Sequence, residues 1–134
     1  MDLNKLGIVQ SKTLTILEPY TEAETDITIE LYPFKSKIGN EAQHSLNTKK
    51  LNLFQNEDNV IEVDEQKRLK DEVVSELMAE MLADITVGWK NIEKDGKPIK
   101  FNKKNAIAIY KEFDFIKNQV LVFVSDYEGN FRAK

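Results

Sequence analysis

Apolar and polar residues alternate in two stretches near the amino terminus, residues 13–17 and 26–34. In the second stretch Ile27, Ile29 and Leu31 fall on one face, and the side chains between them fall on the other. Alternation with a period of two, rich in β-branched residues, predicts strands. The polar segment that separates the two stretches predicts a loop. We therefore expect an antiparallel pair whose apolar face packs on the rest of the chain.

Helical periodicity follows the strands. A first helix is predicted over roughly residues 38–54, with Ser36 as its cap and Gly39 as a weak point. A second helix is predicted over residues 65–85, with Asp64 as its N-cap. Its apolar stripe recurs every four residues, at Leu69, Val73, Leu77, Met81 and Ile85. We interpret this stripe as a core face rather than a partner-binding groove.

An acidic connector, residues 56–64, lies between these helices, and its apolar tetrapeptide at 60–63 predicts a short edge strand. A β-branched pair followed by Gly88 ends the second helix and predicts a turn. Asp95 and Gly96 supply the positive φ angles of a hairpin turn, so a short ribbon is expected there.

Two further helices are predicted after the ribbon. Asn102 is the expected cap of the first, and Asp114 is the expected cap of the second, which Gly129 ends. Residues 120–124 (VLVFV) leave the second assignment open, because this run fits a buried strand as well as a helix.

Length and composition favour one domain. Hydrophobic residues make up 41% of the 134 residues and charged residues 31%, which is typical of a globular chain. We expect a single α+β domain over residues 1–134, with a small N-terminal antiparallel β element followed by a predominantly helical C-terminal part. Its strand-rich part is residues 12–34, and residues 36–134 are helical with a short turn or ribbon at 86–101.

The net charge and the residue types present exclude several classes of function. The net charge of −4 gives no general attraction to nucleic acid or to an anionic membrane. The chain lacks cysteine, a signal-peptide pattern and any run near the roughly 20 apolar residues that span a bilayer, so we expect a soluble cytoplasmic protein.

Lone His44 is interpreted as a surface or half-buried helical residue. With no phosphate-binding loop, metal-ligand spacing or nucleophile–base pair, we expect no enzyme activity, cofactor or metal site.

The carboxy-terminal half carries an ordered series of signals. A helix ends in a Gly-Trp step, an Asp-Gly-Lys-Pro turn and an Asn-initiated helix follow, and the last helix closes with Asn-Phe and a basic residue. The segments concerned are residues 85–92 (ITVGWKNI), 95–102 (DGKPIKFN), 105–106 (NA) and 130–132 (NFR). This series resembles the tail assembly chaperones of long-tailed bacteriophages and prophages. The acidic connector and the two residues after Phe131 depart from the pattern.

The resemblance implies a non-enzymatic assembly factor in the cytoplasm of a bacterial host. Such a factor binds the tape measure protein, helps to recruit tail tube protein, can form a homo-oligomer and is absent from the mature virion. It also favours a helix for residues 120–124. The alternative is a small structural virion protein, such as a tail completion or head-tail connector component.

Aromatic residues are dense in this half, which holds Trp89 and five of the seven phenylalanines. We hypothesise that five of them contribute to an oligomer or client interface: Trp89, Phe101, Tyr110, Phe115 and Phe131. The competing interpretation is that they fill the core, as aromatic side chains commonly do.

Overall fold

A computed structural model describes residues 10–55 and 63–130. The elements in chain order are β1 (Lys12–Leu17), β2 (Glu24–Leu31), α1 (Lys37–Gln55), α2 (Val63–Ile85), β3 (Thr86–Lys90), β4 (Glu93–Lys94), β5 (Lys97–Pro98), α3 (Lys103–Glu112), α4 (Asp114–Ser125) and α5 (Tyr127–Asn130). The predicted α+β class is confirmed, with an N-terminal antiparallel sheet followed by helices.

The main sheet has the strand order β1-β2-β3, and both pairings are antiparallel. Ile29 on the central strand lies opposite Leu14 on β1 and Trp89 on β3. Ile29 and Leu31 are fully buried, so the predicted alternation and the antiparallel pair are confirmed. The helices cover this apolar face of the sheet, and Ile16 joins it from β1.

Gly88 lies in a strand, so its prediction as a turn residue is wrong. The chain passes from α2 directly into β3, where Gly88 pairs with Glu30. The register shifts between Glu30 and Leu31, which makes Val87 the extra residue of a bulge. Thr86, Val87 and Trp89 are strand-favouring residues. Their strand propensity and the backbone groups at the edge of β2 favour a third strand, whereas the sequence pattern predicts only a turn here.

The amino-terminal ends of the first two helices differ in how well they were predicted. Ser36 caps α1 as expected, because its Oγ accepts the N–H of Gly39 at 2.9 Å. Helix α2 begins at Val63, so Asp64 lies within the helix and is not its N-cap. Residues 60–62 of the predicted edge strand lie outside the described residues. Val63, the last residue of that strand prediction, is helical.

The stripe predicted for α2 faces the core from Leu77 onward, whereas Val73 is 36% exposed and Leu69 lies outside the described side chains. Ala79, Leu82 and Ile85 are among its buried residues. They pack with α3 and α4, whose buried residues are Ala106, Ile109, Tyr110, Ile116, Val120 and Val124.

The carboxy-terminal predictions are partly confirmed. Asn102 caps α3, since its side chain accepts the N–H of Asn105, and residues 120–124 are helical. Asp114 is the first residue of α4 and not its cap, because Phe113 occupies the cap position without a side-chain hydrogen bond. Gly129 does not end that helix. The helix ends at Ser125, and Gly129 lies inside α5.

Candidate functional site

The indole of Trp89 joins β3 to the segment before α3. Its Nε1 donates a hydrogen bond to the carbonyl of Ile99 at 2.8 Å. Its ring meets Phe101 edge to face, with centroids 5.0 Å apart and planes at 82°, a geometry that aromatic pairs prefer. Both side chains are half-buried. Two of the five aromatic residues of the interface hypothesis therefore contact each other, and their interface role stays a prediction.

Polar residues of the same segment fix its backbone. Asn91 has a φ angle of 67°, and its side-chain amide donates to the carbonyl of Asp26 at 2.8 Å. Asp95 and Gly96 have φ angles of 55° and 77°, so the predicted hairpin turn is confirmed. Asn105 donates its side-chain N–H to the carbonyl of Lys100 at 2.8 Å. We call residues 86–105 the ribbon corner, because they carry the chain from the sheet through the ribbon into α3.

Tyr110 is fully buried and has no surface for a partner. Its hydroxyl lies 2.7 Å from Thr86 Oγ1. Burial raises the pKa of Tyr110 from 10.0 to about 12. Tyr110 therefore belongs to the core, as the competing interpretation of the aromatic residues holds.

The remaining two predicted interface residues do not join the Trp89–Phe101 pair. Phe115 is half-buried and stacks edge to face on Phe113, with centroids 6.2 Å apart. Phe131 lies outside the described residues. An interface role stays a prediction for Trp89, Phe101, Phe115 and Phe131.

The ribbon corner is positively charged in an acidic chain. Residues 90–104 contain six lysines and only two carboxylates. Hydrogen bonding to Glu112 raises the pKa of Lys94, and hydrogen bonding to Asp84 raises that of Lys103. Lys97 and Lys100 line a groove between the ribbon and α3. Carboxylates of neighbouring helices therefore engage Lys94 and Lys103, and Lys97 and Lys100 border the groove.

The most exposed apolar side chains lie elsewhere, on the opposite edge of the sheet. Tyr20 at the tip of the β1–β2 hairpin is 92% exposed, and Val122 on α4 is 70% exposed. A groove of about 480 Å³ runs between β1 and α4, lined by Leu14, Leu17, Val122 and Phe123 among others. The helical pattern contains a signal for this surface. When Val120 and Val124 face the core, Val122 must point away from it.

The described residues contain no group of three or more His, Asp or Glu side chains placed to hold a metal ion. His44 is exposed on α1. Within residues 10–55 and 63–130, no helix is long and apolar enough to cross a membrane.

Comparison of the chain with protein-family models, with curated proteins and with solved structures gave no match in any of the three.

Proposed function

We propose that this chain is a non-enzymatic tail assembly chaperone of a long-tailed bacteriophage or prophage. In this proposal it binds the tape measure protein in the host cytoplasm and helps to recruit tail tube protein. It acts alone or as a homo-oligomer and is not retained in the mature virion.

The observation that carries the proposal is the ordered series of residues from the Gly-Trp step to the Asn-initiated helix. Several of its described members have a specific structural task. Trp89 bonds to Ile99 and stacks on Phe101, Asn91 adopts a positive φ, and Asn102 caps α3. A series of this kind encodes one local architecture, because each residue type suits its backbone position. The proposal draws support from the position of these residues in one continuous segment, residues 86–105.

Exposed apolar surface also supports a binding function. A factor that masks the apolar stripes of a client needs apolar side chains that its own fold leaves uncovered. Tyr20, Leu51 and Val122 meet that requirement, being 92%, 60% and 70% exposed. Leu51 lies on α1, so the exposed apolar residues are distributed over several elements.

The direct test is capture of the tape measure protein. The candidate client is the product of a very long, helix-rich reading frame immediately downstream of this gene. Overlapping fragments of that product are passed over the immobilised chain, and at least one fragment should be retained. If no such frame exists, or if the folded chain retains none of its fragments, the proposal is wrong.

Two variants test the Trp89 interface hypothesis within the same assay. Trp89→Ala removes the indole, and Trp89→Phe keeps an aromatic ring that can still stack on Phe101. An interface role predicts that capture falls with Trp89→Ala and recovers in part with Trp89→Phe, while circular dichroism shows both variants folded. Equal capture by a folded Trp89→Ala variant would remove Trp89 from the interface.

The virion-component alternative makes an opposite prediction about particles. A structural component remains in purified virions at a fixed copy number, whereas an assembly chaperone is lost before the tail is complete. Mass spectrometry of purified particles distinguishes the two, because only the structural component would appear in proportion to the tail tube protein.

A further inference from the structure

The outer edge of β1 has a defined hydrogen-bonding direction. The carbonyl of Ile16 accepts a hydrogen bond from Thr25 on β2, so Ile16 directs its backbone toward the neighbouring strand. Leu17 directs both its N–H and its C=O away from β2, toward Gln119. Backbone groups alternate in direction along an edge strand. The ladder shifts register between Thr15 and Leu17, but the extra residues lie on β2, where residues 25–27 stand opposite Ile16 alone. Because β1 itself keeps one residue between Thr15 and Leu17, Thr13 and Thr15 point their N–H and C=O groups the same way as Leu17.

Gln119 takes the place of one residue of a fourth strand. Its side-chain Oε1 accepts the N–H of Leu17 at 2.8 Å, and its Nε2 donates to the carbonyl of Leu17 at 2.9 Å. A primary amide that both accepts and donates reproduces the two bonds by which antiparallel residues pair. In the described part of the chain no comparable group meets the outward backbone of Thr13 and Thr15. Among the described residues, the edge is thus closed at Leu17 and open along the two preceding outward-facing residues.

The open part of the edge borders the apolar groove. Leu14 and Thr15 form one wall of the groove, and Val122 and Phe123 of α4 form the other. At about 3.3 Å per residue, the β1 stretch that lines the groove, from Leu14 to Leu17, spans roughly 10 Å. The groove therefore has room for about three residues of extended chain alongside β1.

The end of the groove near Leu17 is acidic. Leu17 lies opposite Glu24 in the ladder, and Glu24 lines the groove. Glu18 and Glu22 follow in the connecting loop, which Glu18 organises by accepting hydrogen bonds from the N–H groups of Tyr20 and Thr21. No ion pair joins any of these three carboxylates to a cation among residues 10–55 and 63–130. Within that part of the chain no cation neutralises their charge, which makes this end of the groove complementary to a basic segment.

We infer that β1 receives an extended segment of a partner protein, which adds to the sheet edge as a fourth strand. The segment pairs with the backbone of Thr13 and Thr15, and it directs alternate apolar side chains toward Val122. A Lys or Arg lies at the end of the segment that meets Gln119 and the acidic hairpin. Strand addition is an established mode of peptide recognition, in which main-chain bonds give affinity and side-chain pockets give specificity. The inference is independent of the proposed function, because it rests only on the edge, the groove and the charges.

Synthetic peptides titrated into ¹⁵N-labelled full-length protein test the inference. The first probe is an extended peptide of alternating Val and Thr with two Lys residues at one end. It should shift the amide resonances of Thr13, Thr15 and Val122 with a Kd of about 1 mM or tighter. It should also slow hydrogen exchange at the Thr13 and Thr15 amides. Absence of these changes, or changes centred on another surface, would overturn the inference.

Two control peptides distinguish backbone pairing from non-specific binding. A peptide of the same sequence with alternate N-methylated residues cannot form the ladder, so it should bind at least about ten-fold more weakly. A peptide with Glu in place of Lys should also bind more weakly, and added salt should reduce the difference between the two charge types. Equal binding of the N-methylated and unmodified peptides would exclude strand addition.

Matched protein variants locate the site. Thr15→Pro removes an outward N–H from an edge position where proline is tolerated, and Thr15→Val keeps that N–H. Peptide affinity should fall at least about five-fold with Thr15→Pro and stay near the original value with Thr15→Val. Val122→Lys places a cation in the groove and should weaken the Lys-bearing peptide. Ser125→Lys adds the same charge to the same helix outside the groove lining and should not.

The Val122→Lys result decides the question if Thr15→Pro fails to fold. Undiminished peptide binding by folded Val122→Lys protein would contradict the groove assignment, whatever Thr15→Pro does.

Discussion

The hydroxyl oxygens of Thr86 and Tyr110 lie 2.7 Å apart at the point where α2 becomes β3. Thr86 Oγ1 also lies 2.7 Å from the carbonyl of Leu82, to which it donates its single proton. Tyr110 must therefore donate its own proton to Thr86. This two-bond chain connects the last turn of α2, the first residue of β3 and the last turn of α3. It stabilises the junction from which the ribbon corner departs.

Alkaline titration should reveal the burial of Tyr110. Its pKa is raised from 10.0 to about 12 in the folded protein, so the folded state holds the proton after the unfolded state has lost it. Stability from this group is complete below pH 10 and is lost as the pH rises to about 12. The loss should amount to roughly 3 kcal/mol. Absorbance at 295 nm should show one tyrosine that ionises later than the rest, and urea melts should show the decline in stability.

Tyr110→Phe tests the same bond by removal. The variant loses the hydrogen bond to Thr86 but keeps the ring in the core, and Thr86 can still donate to Leu82. We expect a loss of about 1 kcal/mol in the free energy of unfolding at neutral pH. The late-ionising tyrosine should disappear from the absorbance titration. If it persists in Tyr110→Phe, another tyrosine carries the raised pKa.

Substitution by alanine should have opposite effects on stability at Gly39 and at Gly88. A Cβ on Gly39 would collide with the carbonyl of Pro33 and would lie 2.6 Å from that of Phe34. Gly39→Ala should therefore destabilise the protein by about 1–3 kcal/mol. A Cβ on Gly88 meets nothing within 4 Å, and Gly88 has no positive φ. Gly88→Ala should raise stability by about 0.5 kcal/mol, because it restricts the unfolded chain.

Thermal and urea unfolding of the two alanine variants measure this contrast. A destabilised Gly88→Ala variant would mean that the strand conformation at the bulge is wrong. An unaffected Gly39→Ala variant would mean that the first turn of α1 does not approach the backbone of Pro33 and Phe34 as closely as described.

Trp89 gives a spectroscopic test of the ribbon corner. Trp89→Phe removes the donor to the Ile99 carbonyl and should cost about 1 kcal/mol in the free energy of unfolding. Phe101→Leu removes the edge-to-face ring contact and leaves the hydrogen bond. Because Trp89 is the only tryptophan, its fluorescence in Phe101→Leu reports directly on the lost contact. An emission spectrum identical to that of the original protein would contradict the stacked geometry.

Local signals predicted much of this fold because they act over a few residues. Alternation gave β1 and β2, the four-residue stripe gave α2, and the Asp95-Gly96 pair gave the hairpin turn. The third strand was missed because Gly88 resembles a helix stop in sequence, and its strand conformation depends on the distant edge of β2. Residues 120–124 were ambiguous for a similar reason, since β-branched residues enter a helix here only because α4 packs against the core.

The candidate surfaces were harder to predict than the elements. The density of aromatic residues in the carboxy-terminal half suggested an interface role for Tyr110. Its burial depends instead on three elements that meet around it. The link between Gln119 and Leu17 joins residues 102 positions apart, and no local pattern indicates such a contact. Exposed Val122 was predictable in principle, because it lies off the apolar stripe of its own helix.

The central claim is that the chain keeps a tape measure protein in solution. Its most direct test is the soluble yield of the full-length product of the downstream helix-rich frame, expressed with and without this chain. The account predicts that the client aggregates when expressed alone and stays soluble, in a complex with this chain, when the two are expressed together. An equal soluble yield in both cases, with no complex formed, would contradict it.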